Sequence, residues 1–418
     1  MTIHRHQIEA ATEALRRVLK FDRPADVVLH DFFREHRALG QHDRAFVAEA
    51  VFGVLRRKRL LDHLVTTVTP LRTLLAYLAR IAGVSARELT PLLKGDEADW
   101  LGGLKAVALD NLPLAVRADL PDWLVERLSS RMAEAEILAL GRGLQQPAPL
   151  DLRVNTLRAE RHGTLRELAA SGIAGEPTPY SPVGIRVKGK PALSRHPLFL
   201  NGAIEVQDEG SQLLAYLVAP KRHDLVVDFC AGAGGKSLHL GALMHSHGRV
   251  YAFDVSEKRL ARLKPRLKRS GLSNLYPQLL RNENDIKIKR LAGKIDRVLV
   301  DAPCSGMGTL RRNPDLKWRQ SPRSIEELKL KQAAILRAAA GLLKPGGRIV
   351  YATCSFLADE NEEIIAAFLA EHSHFARLDC SGLLKQQRID LDTGPYLQLW
   401  PHRHQTDGFF AAALQRNA

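Results

Sequence analysis

Four cysteines occur in the 418 residues, Cys230, Cys304, Cys354 and Cys380, and two of them close short strings that each follow an apolar run. Val298-Leu-Val-Asp301-Ala-Pro-Cys304-Ser305 and Val350-Tyr-Ala-Thr-Cys354-Ser355 read as buried strands ending in a thiol. A thiolate is a good nucleophile and a good leaving group, so two thiols at neighbouring strand tips are parts for covalent catalysis. Asp301 strengthens this reading, because a carboxylate at the end of a buried strand is costly without a partner or a task. Cys230 and Cys380 lack such a setting and read as small buried hydrophobes. No CxxC spacing occurs, so neither a disulfide framework nor a metal site is expected.

A second constellation lies upstream. Leu225 to Phe229 reads as a buried parallel strand, broken by Cys230-Ala231-Gly232-Ala233-Gly234-Gly235-Lys236, after which Ser237 opens a helix-competent segment. Glycines in such a turn let backbone N–H groups approach a ligand, and the helix end behind them is electropositive. The next strand, Arg249 to Phe253, ends in Asp254, 19 residues after Gly235, where a carboxylate would hold the ribose hydroxyls of a nucleoside cofactor. Gly235-Lys236-Ser237 also imitates a phosphate-binding P-loop, with Val298 to Asp301 as its magnesium strand. That motif requires glycine where this chain has Cys230, which weighs against the reading and leaves it a distant third that would need ATP binding.

These residues need a scaffold that gathers strand tips. From residue 216 to 418 strand and helix patterns alternate, which predicts a doubly wound α/β sheet with ligands bound beyond the carboxyl ends of its strands. If the fourth and fifth strands are neighbours, Cys304, Cys354 and Asp301 converge beside the glycine turn. Glu257 to Ser270 reads as a basic helix stopped by Gly271, Ile325 to about Leu343 as a long helix, and Arg348 to Thr353 as strand five. Tyr396 to Trp400 and Gly408 to Ala413 are predicted to pair as an antiparallel hairpin at the sheet edge. Residues 1–144 carry helical stripes, such as 46, 47, 50, 51, 54 and 55, and read as an all-helical domain. Gln145-Gln-Pro-Ala-Pro149 marks a boundary, and 150–215 reads as a small α+β module.

Lys and Arg total 61 against 46 Asp and Glu, a net charge of +15 that points to a polyanionic partner, nucleic acid first. Between Ser256 and Lys294 there are 12 basic residues against 3 acidic ones. Arg311, Arg312, Lys317 and Arg319 surround Trp318 just after Cys304, a mixture suited to the phosphates and bases of splayed RNA. The Arg56-Arg-Lys-Arg59 run reads as a solvated helix end. No apolar leader and no membrane-spanning run is seen, so a cytoplasmic protein is expected.

The strings DFCAGAGGKS, VDAPCSGMGTLRRNPDLKWR and YATCSFLADENEEI resemble the motifs of the Sun-type (RsmB-like) RNA cytosine-C5 methyltransferases. Upstream, LGQHDRAFVAEAVFGVLRRKRLLDHLV is similar to the NusB-like helical domain of the bacterial rRNA branch, and PLDLRVNTL with FLNGAIEVQDEGSQLL to its RRM-like linker module. The resemblance implies a Rossmann-like class I methyltransferase that uses S-adenosyl-L-methionine to methylate cytosine C5 in RNA, 16S rRNA foremost. The residues leave the oligomeric state open, with a monomer as the expectation. It also implies that Cys354 is the nucleophile, that Cys304 assists product release, and that Asp301 contacts the cofactor or the cytosine edge. Residues Cys230 to Lys236 would wrap the cofactor, Asp254 would take its ribose, and Asn282, with Asp285 as the alternative, would face its adenine. Lys236 would favour a thiolate through its charge. Ala233 stands where the family commonly has proline, which should loosen the turn. A non-catalytic RNA-binding ribosome assembly factor that keeps the sheet as scaffold is the alternative.

Overall fold

The computed structural model describes residues 3–65, 67–93, 97–104, 107 and 111–417. The chain divides into two compact units, Met1–Pro147 with Thr309–Pro322, and Ala148–Gly308 with Arg323–Ala418.

The described part of the first unit is helical. Its longest element, Gln41–Leu64, buries Val47, Ala50, Val51, Val54 and Leu55 against Leu15, Phe32 and Leu74, the stripe expected of an amphipathic helix. The helix does not end at Arg56, so the basic run lies in its interior, and three of its four charges, those of Arg57, Lys58 and Arg59, are paired. Arg57 Nε donates to Asp119 Oδ2 at 2.6 Å, Lys58 Nζ to Asp62 at 2.6 Å, and Arg59 Nη2 to Asp122 at 2.7 Å. The expected solvated helix end is therefore corrected to an ion-paired helix face.

The second unit contains two sheets. The smaller is antiparallel, in the order Gly175–Pro177, Gly184–Val187, Leu150–Val154, Ile204–Val206. Leu152, Val154, Ile185 and Ile204 alternate onto its buried face under Leu168 of the helix Arg161–Ala170. The larger sheet comprises β1 (Leu225–Asp228), β2 (Arg249–Asp254), β3 (Leu275–Leu279), β4 (Ile295–Asp301), β5 (Leu343–Thr353), β6 (Phe375–Leu378), β7 (Leu397–Leu399) and β8 (Phe409–Arg416). Their order is β6-β8-β5-β4-β1-β2-β3, with β7 paired to β8. Strands β1 to β5 are mutually parallel, and β8 runs antiparallel to β5 and β6.

The order reverses between β1 and β4, which makes their carboxyl ends the switch point where this architecture binds ligands. The parallel strands are apolar on both faces. Val226, Val227, Val298, Leu299, Ile349 and Val350 are all fully buried.

Two sequence expectations shift. β8 is not an edge strand, because the short β6 covers it and takes the edge. β5 begins at Leu343 rather than Arg348: the Lys344-Pro-Gly-Gly347 segment is carried as an irregularity between Ile295↔Leu343 and Arg297↔Arg348, where a bulge absorbs residues that cannot pair regularly.

Candidate active site

The glycine turn joins β1 to α1 (Gly235–Leu243). Gly234 has φ +81, and a Cβ there would lie 2.0 Å from Leu263 Cδ1, so only glycine lets the turn pack on the neighbouring helix α2 (Glu257–Ser270). Backbone carbonyls of the turn are held from outside. Arg266 Nη1 donates to Ala233 O at 2.7 Å and Arg153 Nη1 to Gly235 O at 2.6 Å. Arg266 is itself fixed by Glu205, at 2.8 Å. These clamps stiffen the turn where Ala233 was expected to loosen it. Asp254, at the tip of β2, accepts from Gly232 N at 2.8 Å and from Ser256 N at 2.7 Å.

A cleft of about 460 Å³ opens along these tips. Cys230, Ala231, Gly232, Ala233, Gly235, Lys236, Asp254, Asn282, Asp301, Cys304 and Cys354 all contribute to its wall, whereas Gly234 faces Leu263. Asp285 is turned away: its carboxylate accepts from Arg281 N and Lys287 N, both at 2.9 Å, and caps the short helix Ile286–Lys289. Glycine amides, an apolar flank from Val255 and Ile335, and carboxylates at two strand tips fit a nucleoside-bearing cofactor.

At one end of the cleft Cys304 Sγ and Cys354 Sγ are 3.4 Å apart, both free and half-buried. Their loops are laced together. Ala302 N donates to Ala352 O and Gly308 N to Cys354 O, both at 2.8 Å. Asn361 accepts from Thr353 Oγ1 at 2.5 Å and donates to Ser355 O at 3.0 Å, fixing the far side of Cys354. Glu360, fully buried, accepts from Ser305 N at 2.8 Å and from Gln332 Nε2 at 2.9 Å. The sequence reading passed over Glu360, Asn361 and Gln332. The acidic string after Cys354 was the only signal for the first two.

The charges around the pair are unequal. Lys236 Nζ is 2.7 Å from Asp301 Oδ2. Burial opposes its positive charge, but Asp301 and the Cys354 sulfur more than offset this, so its pKa is raised. Cys304 is pushed well above the usual thiol range by its hydrogen bond to Cys354, by burial, and by the charges of Cys354 and Glu360. Burial also drives Cys230 far up, leaving it an inert thiol. Asp228, behind the turn, is pushed up to about 7 by burial, partly opposed by the hydrogen bond from Ser237.

The Arg311 to Arg319 segment departs from expectation, because it belongs to the helical unit. Lys317 is 5% exposed and donates to Arg56 O at 2.9 Å and Asp119 O at 2.5 Å. Trp318 Nε1 donates to Leu55 O at 3.1 Å, Arg311 is buried and accepts from Arg56, and Arg319 reaches Asp315 at 3.4 Å. Arg312 is half-buried. Lys317 is thus corrected from an RNA contact to a buried piece of the helical unit, and half-buried Trp318 packs against the same core. Among the described residues no cluster of His, Cys, Asp or Glu is placed to hold a metal ion, and no helix is long and apolar enough to cross a membrane.

Comparison with known proteins bears on this site. Residues 215–415 match the family described as 16S rRNA methyltransferase RsmB/F, and residues 120–194 match the ferredoxin-like domain of RsmF/B-like methyltransferases. A probable ribosomal RNA small subunit methyltransferase B from Synechocystis is 32% identical, over 96% of this chain and 97% of that protein. The crystal structure of PH0851 aligns with TM-score 0.80 and 27% identity over the whole of both chains. A methyltransferase homolog from Pyrococcus horikoshii aligns with TM-score 0.62 and 26% identity over 74% of this chain and all of its own. The full-length match at that identity, together with the paired thiols at the sheet's switch point, makes this chain a member of the RsmB/F family of 16S rRNA methyltransferases.

Proposed function

We propose that this chain methylates C5 of a cytosine in small-subunit ribosomal RNA, in the cytoplasm, through a transient bond between Cys354 and C6 of the base. The observation that carries the proposal is the 3.4 Å thiol pair in the wall of a cleft that the glycine turn and Asp254 also line. S-adenosyl-L-methionine, when bound in the cleft, supplies an electrophilic methyl group. Gly232, Gly235 and Asp254 would hold its nucleoside and amino-acid portions, and Asn282 its base.

The chain's own residues supply the activation. Cytosine C5 is too weak a nucleophile to accept a methyl group unaided, and the target base must leave any stack to reach the cleft. Addition of the Cys354 thiolate at C6 forms the C6–S bond and moves the ring's π electrons toward C5, which becomes enamine-like. Lys236, paired with Asp301 at 2.7 Å, places a positive charge in the same cleft wall as Cys354. After C5 is methylated, its proton passes to water and the C6–S electron pair returns to sulfur, restoring the ring. Cys304, whose sulfur lies 3.4 Å from Cys354 Sγ, would donate its S–H to the departing thiolate and stabilise it.

The test is incubation with unmodified small-subunit rRNA and labelled cofactor. Label should enter the RNA with the wild type and fail with Cys354→Ala. Cys304→Ala should accumulate a protein–RNA adduct that survives a denaturing gel. Equal labelling by Cys354→Ala overturns the assigned nucleophile. A protein that binds rRNA but no S-adenosylmethionine in a calorimeter would be a scaffold.

A further inference from the structure

Glu360 is a buried carboxylate with no role in the scheme above. Its Oε1 accepts from Ser305 N and from Gln332 Nε2, at 2.8 and 2.9 Å, and its Oε2 from Ser305 Oγ at 2.5 Å. The same Gln332 amide donates to Pro303 O at 3.0 Å, so the carboxylate and the amide together grip both chain neighbours of Cys304. These donors are neutral and leave the negative charge of Glu360 uncancelled in a fully buried site. The charged Lys236 pairs with Asp301 at 2.7 Å and lines the cleft wall with Cys354.

We infer that Glu360 is a positioning residue that keeps Cys304 as the proton-bearing thiol of the pair, aimed at Cys354 as a hydrogen-bond donor for thiolate release. This rests on the covalent reading of Cys354 proposed above. The remaining titratable neighbours do not supply the asymmetry. Tyr351, whose hydroxyl donates to Glu360 O at 2.7 Å, is held neutral by burial, and Cys230 likewise. Asp301 is committed to Lys236. A negative charge beside one of two touching thiols and a positive charge toward the other divides one proton unequally between them.

The test reads the proton directly, in a Cys354→Ala background that removes the partner thiol. Alkylation of Cys304 by iodoacetamide is followed against pH by peptide mass spectrometry, which separates it from Cys230 and Cys380. Adding Glu360→Gln, which keeps the shape and loses the charge, should lower the pH midpoint and speed alkylation about tenfold at pH 8, one pK unit's worth. In the otherwise intact enzyme Glu360→Gln should lower kcat with KM unchanged and accumulate the rRNA adduct, while Glu360→Asp should restore turnover in part. An unmoved midpoint overturns the inference, as does an adduct level equal to wild type. If Glu360→Gln does not fold, the Cys354→Ala protein decides alone: a Cys304 midpoint at or below the ordinary thiol value of about 8.5 overturns the proposal. The alkylation profile needs no methyl transfer. An unmoved midpoint alongside normal Cys354-dependent labelling therefore sinks the Glu360 role alone, and absence of labelling in every variant sinks the functional reading alone.

Discussion

Gly308 and Gly408 meet backbone to backbone: Gly408 N donates to Gly308 O at 2.8 Å, and a Cβ built on Gly308 would lie 2.0 Å from Gly408 O. Since Gly308 N also donates to Cys354 O, this contact anchors the loop that follows Cys304 to the loop that bears Cys354. Gly308→Ala should push the two apart, lowering kcat at least tenfold and stability by about 1–3 kcal/mol. Gly163→Ala, in a helix with open space around the new methyl, should leave activity unchanged. Steady-state rates and urea midpoints of both variants check this.

Lys317 should make the helical unit's stability depend on alkaline pH. Burial drops its pKa to about 8, below the ordinary lysine value of 10.5. The folded form therefore binds fewer protons than the unfolded form between those values, and stability rises with pH across that window. The wild type should gain on the order of 2 kcal/mol over Lys317→Met between pH 7 and 10.5 in urea melts. A constant difference would show that the ammonium is not buried as described.

Asp228 carries the opposite slope. Burial pushes its carboxyl up to about 7 when folded, against an ordinary aspartate value of 3.8, so the folded form binds the extra proton and stability falls as pH rises between them. Asp228→Asn removes that slope while still accepting from Ser237. Its advantage over wild type should be larger at pH 8 than at pH 5, by about 2–3 kcal/mol. Denaturant midpoints at the two pH values measure it.

Asn282 and Asp285, three residues apart, should separate cleanly. Asn282 lines the cleft and Asp285 caps a short helix. Asn282→Ala should weaken S-adenosylmethionine binding several-fold with little change in melting temperature. Asp285→Ala should lower the melting temperature, as lost caps do, and act on binding only through it. Calorimetry and thermal melts of each variant distinguish the two.

The large sheet was legible because its strands advertise themselves: Val298-Leu-Val300 and Val350-Tyr-Ala352 are apolar on both faces and end in groups that a buried strand does not carry idly. Parallel pairing then brought Cys304 and Cys354 together with no further information. Short, half-exposed Phe375–Leu378 gives no such signal, and the hairpin was placed at an edge that this strand occupies. Glu360 was illegible for another reason. Its importance comes from Ser305 and Gln332, which are distant in sequence, and a lone glutamate in an acidic string reads as solvated. The basic loop misled by composition, since nothing local reveals that Lys317 and Trp318 find their carbonyls more than 190 residues upstream.

That loop settles how the polypeptide can be divided. Thr309–Pro322 completes a helical body otherwise drawn from the first 147 residues. A gene cut at that boundary would yield a front fragment lacking Lys317 and Trp318, and a back fragment bearing them with no carbonyls to meet. Neither half is a portable cassette, and the two bodies can be inherited, expressed or transplanted only as one piece.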